Sequence, residues 1–417
     1  MKLLFIMFDG PNFSGGPVIN LTRLLPELKK RGHDINVLCF FRGTEHPNAD
    51  LIAKQGVNCM FKPIELQSNL VVLWILKKCK KLNPDIFIPD VSTQGLLAGK
   101  WIKSFGVPVI NTMRGNDDLN WGKAVFFSRK SKWQTSAIVF VNDYLKNELN
   151  SRVKTELEQV VIPSGVNTSI FKSNQNKSKI GFVYSGRLTN RIKNVNEIIL
   201  AFINIAKEYS HTYFNIIGSG EESENILNLI KKHKLESIIN IVSPLKGDKY
   251  KEFLAQHNFI LLMSDSEGTP GAIMDGMSCG LIPVVNYYVG IERLVINNKT
   301  GIIFDKENNQ LIDVLKDVIH DVEFKELLSD NAVEHIKKYF SLDYCVNQWE
   351  YLFTKLEVRK KRKFVTPKRV RLPGRNKLLI EHIPKDTCFN KIKSLVSKVN
   401  NKVLKIITEL YEGVVLG

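Results

Sequence analysis

Short apolar runs alternate with helix-patterned stretches along most of this chain, and that rhythm narrows the fold more than any other feature. Strand, helix and strand in succession call for a parallel sheet with helices on both faces. Residues 3–8 form the first apolar run, followed by a loop over 9–17 that carries Gly10, Pro11, Gly15, Gly16 and Pro17. Val18, Leu21, Leu24, Leu25 and Leu28 then recur at helical spacing. Residues 35–40, 86–88, 107–111, 137–141 and 160–162 read as further strands, and 93–105 as a helix. After a polar, aperiodic stretch at 171–178 the rhythm restarts, with strands expected at 180–184, 213–217, 239–242, 259–263, 282–285 and 302–304.

A chain of 417 residues exceeds what one core usually organises, so two domains are expected. The reading is a Rossmann-like first domain at 1–170, a linker at 171–178 and a second Rossmann-like domain at 179–345. A helix at 346–358 can cross back to the first domain, and a basic tail with an amphipathic helix occupies 359–417. Two such domains enclose a central cleft at the carboxyl ends of their strands, where helix N-termini favour an anionic ligand.

Hydrophobic residues make up 44% and charged residues 24%, the balance of an ordinary globular protein. The opening MKLLFIMFDG is too short to span a bilayer and lacks a small-residue cleavage site, so a buried strand explains it. Cys39, Cys59, Cys79, Cys279, Cys345 and Cys388 show no C-x-x-C pair, which suits a reducing cytosol. The eight histidines fall at no ligand spacing, and no metal site is expected. The net charge of +17 is concentrated: residues 355–417 hold 17 Lys or Arg against 5 Asp or Glu. The body is therefore only mildly basic, and the charge does not indicate a nucleic-acid-binding core.

The stretch from Glu267 to Asp275 carries the most chemistry. An apolar strand ends near Met263, and Glu267, Gly268, Thr269, Pro270 and Gly271 lead into a helix. Free N–H groups and the positive dipole end at that helix start can cradle a diphosphate, and the glycines admit close approach. Pro270 suits an early helical position, where its missing N–H costs nothing. Glu267 and Asp275 lie eight positions apart, so both carboxylates can face one ligand. The competing reading makes Glu267 a helix cap and Asp275 a solvated helix residue.

This stretch resembles the donor-site motif E-x-x-x-x-x-x-x-E of the family 4 glycosyltransferases, retaining enzymes of the GT-B fold. The resemblance implies that Glu267 contacts the transferred sugar and that Asp275, one methylene shorter than the family's Glu, holds the ribose hydroxyls. The run from Phe182 to Asn194 is similar to the first strand and loop of the family's donor domain. The resemblance makes Gly186 a donor-binding position, and Arg187 and Lys193 match the basic pair that neutralises the diphosphate. Cations placed there would stabilise the charge that develops on the leaving group. Gly218, within Gly218-Ser-Gly220, resembles a turn bordering the nucleotide, and Gly15 and Gly16 match the glycine loop under the donor phosphates.

The resemblance runs from about Lys2 to about Leu356. It implies transfer of a sugar from a nucleotide-sugar co-substrate to a glycan or lipid-linked acceptor, without cofactor or metal, in surface glycan or glycolipid synthesis. The first domain would serve the acceptor and the second the donor. Many relatives place a His after a strand like 107–111, whereas here Arg114 takes that place and Asp117 follows. Arg cannot act as a base but can bind a phosphate or an anionic acceptor, and Asp117 can orient an acceptor hydroxyl or cap a helix. A nucleotide-sugar epimerase and a catalytically silent adaptor are the rival readings.

In the tail, Arg359-Lys-Lys-Arg-Lys363 and Pro367-Lys-Arg-Val-Arg371 are followed by a helical pattern over 389–410. A basic amphipathic segment of this kind suits an anionic membrane surface, a partner, or the protein's own surface. The expected location is cytoplasmic, with peripheral contact at the inner face of the cell membrane.

Overall fold

A computed structural model describes residues 1–11, 15–64, 67–168, 173, 178–306, 311–356 and 362–373. The first domain runs β1 (Lys2–Asp9), α1 (Gly16–Lys30), β2 (Asp34–Phe41), α2 (Pro47–Ala53), β3 (Asn58–Pro63), α3 (Ser68–Leu82) and β4 (Ile86–Ile88). It continues through α4 (Thr93–Ser104), β5 (Ile110–Met113), α5 (Asp118–Ser128), β6 (Ala137–Phe140), α6 (Asp143–Arg152) and β7 (Glu158–Val161). Strands in the order β3-β2-β1-β4 and β5-β6-β7 are all parallel, and a parallel bridge between Phe87 and Val109 joins the two sets.

The second domain comprises β8 (Ile180–Ser185), α7 (Val195–Glu208), β9 (Thr212–Ile217), α8 (Ser223–Lys232), β10 (Ile239–Val242), α9 (Gly247–Leu254) and β11 (Phe259–Leu262). Then come α10 (Gly271–Ser278), β12 (Ile282–Asn286), β13 (Ile302–Phe304), α11 (Leu311–His320) and α12 (Val322–Tyr339). Its parallel sheet has the order β10-β9-β8-β11-β12-β13. The order reverses between β8 and β11, and the crevice outside such a switch point is where open α/β sheets bind ligands. The loops after β8 and β11 are those that carry Arg187, Lys193 and Glu267.

The apolar stripes seen in the sequence are the buried faces. Val18, Leu21, Leu24, Leu25 and Leu28 of α1 are all at most 3% exposed. Beneath the second crevice Phe182 stacks on Phe214 (5.1 Å) and Phe259 (5.0 Å), which locks β8, β9 and β11 together. Burial of each such ring contributes about 1.5–3 kcal/mol, so the strand ends that present the loops are rigidly held.

The helix expected at 346–358 is α13 (Leu342–Lys355), begun four residues earlier because Ser341 caps it through the Tyr344 N–H at 3.2 Å. Its Cys345, Val346, Trp349, Leu352 and Phe353 enter the core formed by α1 and β1 of the first domain. Strand β3, a half-exposed edge strand, and helices α2, α3 and α6 have no counterpart in the sequence reading. The strand expected at 107–111 is regular only over β5, since Pro108 has no N–H for a ladder. The linker at 171–178 lies outside the described residues apart from Ser173 and Ser178, as do Asn12, Phe13 and Ser14 of the first loop. Residues 362–373 of the tail lie on the first domain, with Phe364 against Phe105 at 4.1 Å and Val370 buried. The helical pattern at 389–410 is outside the described residues. Among the described residues, no helix is long and apolar enough to cross a membrane.

Candidate active site

The floor of the second crevice is set by backbone packing that only glycine allows. A Cβ on Gly218 would fall 2.0 Å from the Gly186 carbonyl oxygen, so the turn after β9 and the loop after β8 touch main chain to main chain. Gly186 N–H donates to the Ile217 carbonyl (3.0 Å) and Leu188 N–H to Ser219 (3.0 Å). Tyr184 is fully buried below and donates its hydroxyl to the Arg187 carbonyl at 2.9 Å. Burial first, and the nearby charge of Glu267 second, push the Tyr184 phenol upward, so it remains a hydrogen-bond donor.

That loop ends at Lys193, whose ammonium forms an ion pair with Glu267. The two side chains, 74 positions apart in sequence, meet at the crevice with 24% and 18% of their surface exposed. Asn194, in a left-handed conformation at φ 49°, ties the β8 and β11 loops by donating to the Met263 carbonyl and Asp265, both at 2.8 Å. Arg187 is exposed and forms no ion pair among the described residues. The structure thus brings Glu267 and Lys193 together and leaves Arg187 available at the surface of the same loop.

The Glu267 loop is docked on the first domain. Gly268 lies so close to Arg114 that a Cβ would sit 2.0 Å from its carbonyl oxygen. Asn142 donates to the Gly268 carbonyl (3.0 Å), and the Thr269 hydroxyl donates to the Val141 carbonyl (3.3 Å). Arg293, just beyond β12, pairs with Asp143 at the start of α6. Pro270 takes the position before the first helical residue rather than inside the helix, and Gly271 opens α10 with nothing within 4 Å of its would-be Cβ. Gly15 precedes α1 and accepts from the Val18 N–H (3.0 Å), while Gly16 opens α1 into free space.

Asp275 occupies a different environment from Glu267. It is 3% exposed, and its Oδ2 accepts from Arg23 of α1 at 2.7 Å across the cleft. Burial works against the Arg23 charge, yet the Asp275 carboxylate outweighs it and holds the guanidinium above its ordinary pKa. The second carboxylate oxygen, Oδ1, is buried without a partner among the described residues. Tyr250 sits in the same nest and donates to the Ser185 hydroxyl at 2.8 Å; burial, then Asp275, raise its pKa. Asp275 is therefore a buried, ion-paired residue rather than a solvated helix position, with one acceptor oxygen still unused.

On the first domain, Arg114 is held by Asp90 through Nε and Nη2, both at 2.9 Å, in a pair that is 7% and 1% exposed. The Thr112 hydroxyl donates to the same Asp90 oxygen (2.8 Å), and the Asn20 amide, once turned so that its oxygen faces Arg114, accepts from both terminal Arg114 nitrogens. Asp117 caps α5 by accepting from the Asn120 N–H at 3.0 Å. Sequence reasoning overlooked Asp90, Arg23 and Asn142. Asp90 alone left a local signal, an acid right after the short strand β4; the others are recognised only by contacts 126 or more positions away.

The family model described as "Glycosyltransferase Family 4" matches residues 14–170, and the one described as "Glycosyl transferases group 1" matches 166–335. An uncharacterised glycosyltransferase of Methanocaldococcus jannaschii is 28% identical over 356 residues, covering 83% of this chain and 96% of its own. The N-acetyl-alpha-D-glucosaminyl L-malate synthase of Bacillus anthracis is 20% identical over 376 residues, covering 85% and 97%. Among solved structures, Anabaena HepE in complex with UDP and glucose superposes with a TM-score of 0.70 at 16% identity, over 85% of this chain and 100% of that one. The pneumococcal O-GlcNAc transferase GtfA in complex with UDP and GlcNAc gives 0.68 at 11% identity, over 85% and 99%.

Proposed function

This chain belongs to the family 4, group 1 glycosyltransferases, enzymes that use nucleotide-activated sugars, and from that premise we propose how its own residues carry out the transfer. The donor diphosphate lies over the loop from Gly186 to Lys193 and against the open start of α10. Lys193 and Arg187 neutralise the charge that develops as the nucleotide leaves, a charge preorganised cations stabilise without reorganisation. Glu267 orients the transferred sugar, and Asp275 reaches a ribose hydroxyl through its unused oxygen. An acceptor hydroxyl, on a glycan or a lipid-linked glycan, attacks from the first-domain side, near Arg114.

Retention of configuration, with attack on the face the nucleotide leaves, follows the family pattern. The chemistry runs without a resident metal, the electrostatic work being assigned to Lys193 and Arg187. Contact between the Glu267 loop and the Arg114 segment excludes water and so limits donor hydrolysis. The enzyme works in the cytoplasm on surface polysaccharide or glycolipid, with its basic tail held against the anionic inner face of the membrane.

The observation that supports this reading most is the meeting of Lys193 with Glu267 at the switch point of the second sheet. A thermal-shift panel of UDP-, GDP-, ADP- and CMP-sugars tests it, because a true donor stabilises the fold by mass action. The stabilising donor should then release its nucleotide when acceptors are supplied, with undiminished rate in excess EDTA. Isomerised sugar nucleotide with no release of diphosphate would replace transfer by epimerisation. No binding of any donor would favour a silent adaptor.

A further inference from the structure

Beside the Glu267 loop the two domains enclose a cavity of about 500 Å³, with Asn116 on the first domain and Ser266, Asn286, Tyr287 and Tyr288 on the second among its walls. Two wall residues bury oxygens that have no hydrogen-bond partner among the described residues: Asn286 Oδ1 and Tyr288 Oη. They are 2% and 6% exposed. The Asn286 amide cannot relieve its oxygen by turning over, because its N–H₂ is already spent on the Ser264 and Tyr287 carbonyls at 3.1 and 3.2 Å. A buried polar atom left unpaired costs about 1–3 kcal/mol, so two in one wall call for an explanation.

Their chemistry is complementary. Asn286 offers an acceptor with no donor, and Tyr288 a donor with no acceptor; a single hydroxyl group supplies both. Burial, followed by the charges of Glu267 and Glu292, raises the Tyr288 pKa well above its ordinary value, so the phenol keeps its proton at any working pH. The walls also hold Asp265, Asp305 and Lys306, and Lys306 is tied to Asp265 at 2.8 Å. With the Asp265 carboxylate already tied to Lys306, tyrosines and amides are left to meet a ligand, and they suit a neutral polyol. Asn116 lies two positions after Arg114, which puts one wall of the cavity next to the segment assigned to the acceptor.

We propose that this cavity is a subsite for an uncharged sugar ring of the acceptor, one ring hydroxyl accepting from Tyr288 and donating to Asn286. The inference rests on the glycosyl-transfer reading above and specifies its acceptor: the group attacked or its neighbour is a neutral sugar, not a phosphate or a bare diacylglycerol.

Saturation-transfer NMR of the full chain with methyl glucoside, galactoside and N-acetylglucosaminide, in the presence of UDP, tests the subsite without needing turnover. At least one glycoside should bind, with its signal reduced severalfold in Tyr288→Phe, which removes only the hydroxyl, and in Tyr287→Ala at an exposed wall position. Equal binding by both folded variants, or no glycoside binding at all, overturns the subsite. Where a donor is turned over, Tyr288→Phe should raise the glycoside KM about tenfold and the donor KM less than twofold. A matched rise in donor KM would place the hydroxyl on the donor sugar and overturn the proposal. Glycoside binding without any donor turnover would sink the transfer reading while the subsite stood.

Discussion

Lys193 and Glu267 neutralise one another when no donor is bound, and each therefore presets the other's position. Removing either leaves the remaining charge misplaced, so their effects should overlap rather than add. Glu267→Gln is expected to lower kcat/KM for nucleotide release by on the order of 10²–10³, with Lys193→Ala similar and the double variant little worse than either. Additive losses would mean the two act independently. Asp117 makes the opposite case, since its carboxylate is already used at the start of α5. Asp117→Asn keeps a side-chain acceptor for the cap and should retain transfer within about twofold and stability within a few tenths of a kcal/mol. A large loss of rate in that folded variant would assign Asp117 to the acceptor. A third residue ties pH to stability. His335 has its pKa lowered, by burial before any other cause, and its ring nitrogen donates to the Arg293 carbonyl at 2.9 Å. The unfolded chain therefore binds a proton more readily, and stability is fully present above the ordinary histidine pKa of about 6.5 and falls as pH drops below it. Melting curves from pH 7.5 to 5 should show this decline, and His335→Gln should flatten it.

At the scale of elements, the two glycine-bearing loops depend on main-chain contacts that leave no room for a methyl group. The Cβ of Gly268→Ala would lie 2.0 Å from the Arg114 carbonyl, which is backbone and cannot swing aside. The β11–α10 loop would then have to lift off the first domain, an overpacking cost of about 1–3 kcal/mol at the contact. The expected result is a reduced transfer rate with a larger share of donor lost to water, read as free sugar against transferred sugar. An unchanged ratio would show that this contact does not shield the donor. How legible these elements were follows from where their information resides. Strands such as β1, β8 and β12, buried on both faces, announce themselves as continuous apolar runs, and α1 shows its stripe without ambiguity. Strand β3 mixes half-buried and exposed positions at the sheet edge, so its pattern falls between strand and loop. In the site, Glu267, Lys193 and the glycines occupy motif positions and could be read off the chain. The Asp90 clamp on Arg114 and the Arg23 pair with Asp275 could not, because each is created by the folded arrangement of segments 24 and 252 positions apart.

At the scale of the whole molecule, the order of the chain and the order of packing disagree, and stability should reflect the packing. Helix α13 follows the second domain in sequence, yet Trp349, Leu352 and Phe353 are at most 2% exposed within the core of the first. Arg31 of the first domain adds ion pairs to Asp343 (2.9 Å) and Glu350 (3.0 Å) on the same helix. These pairs are partly exposed and contribute little, about 0–1 kcal/mol each; the apolar side chains dominate, at about 1.5–3 kcal/mol apiece. A chain ended at Ser341 would thus expose the first core while leaving the second sheet intact. Such a truncation is expected to lose most of its native near-UV signal from the first domain and to precipitate on warming. The full chain should melt in one transition despite its two sheets. Nucleotide bound in the second domain should then raise the midpoint of the whole transition, by RT ln(1 + [L]/Kd) in free energy. Calorimetry distinguishes the alternatives: two resolved peaks, with only the later one moved by UDP, would show that α13 and the cleft contacts do not couple the halves.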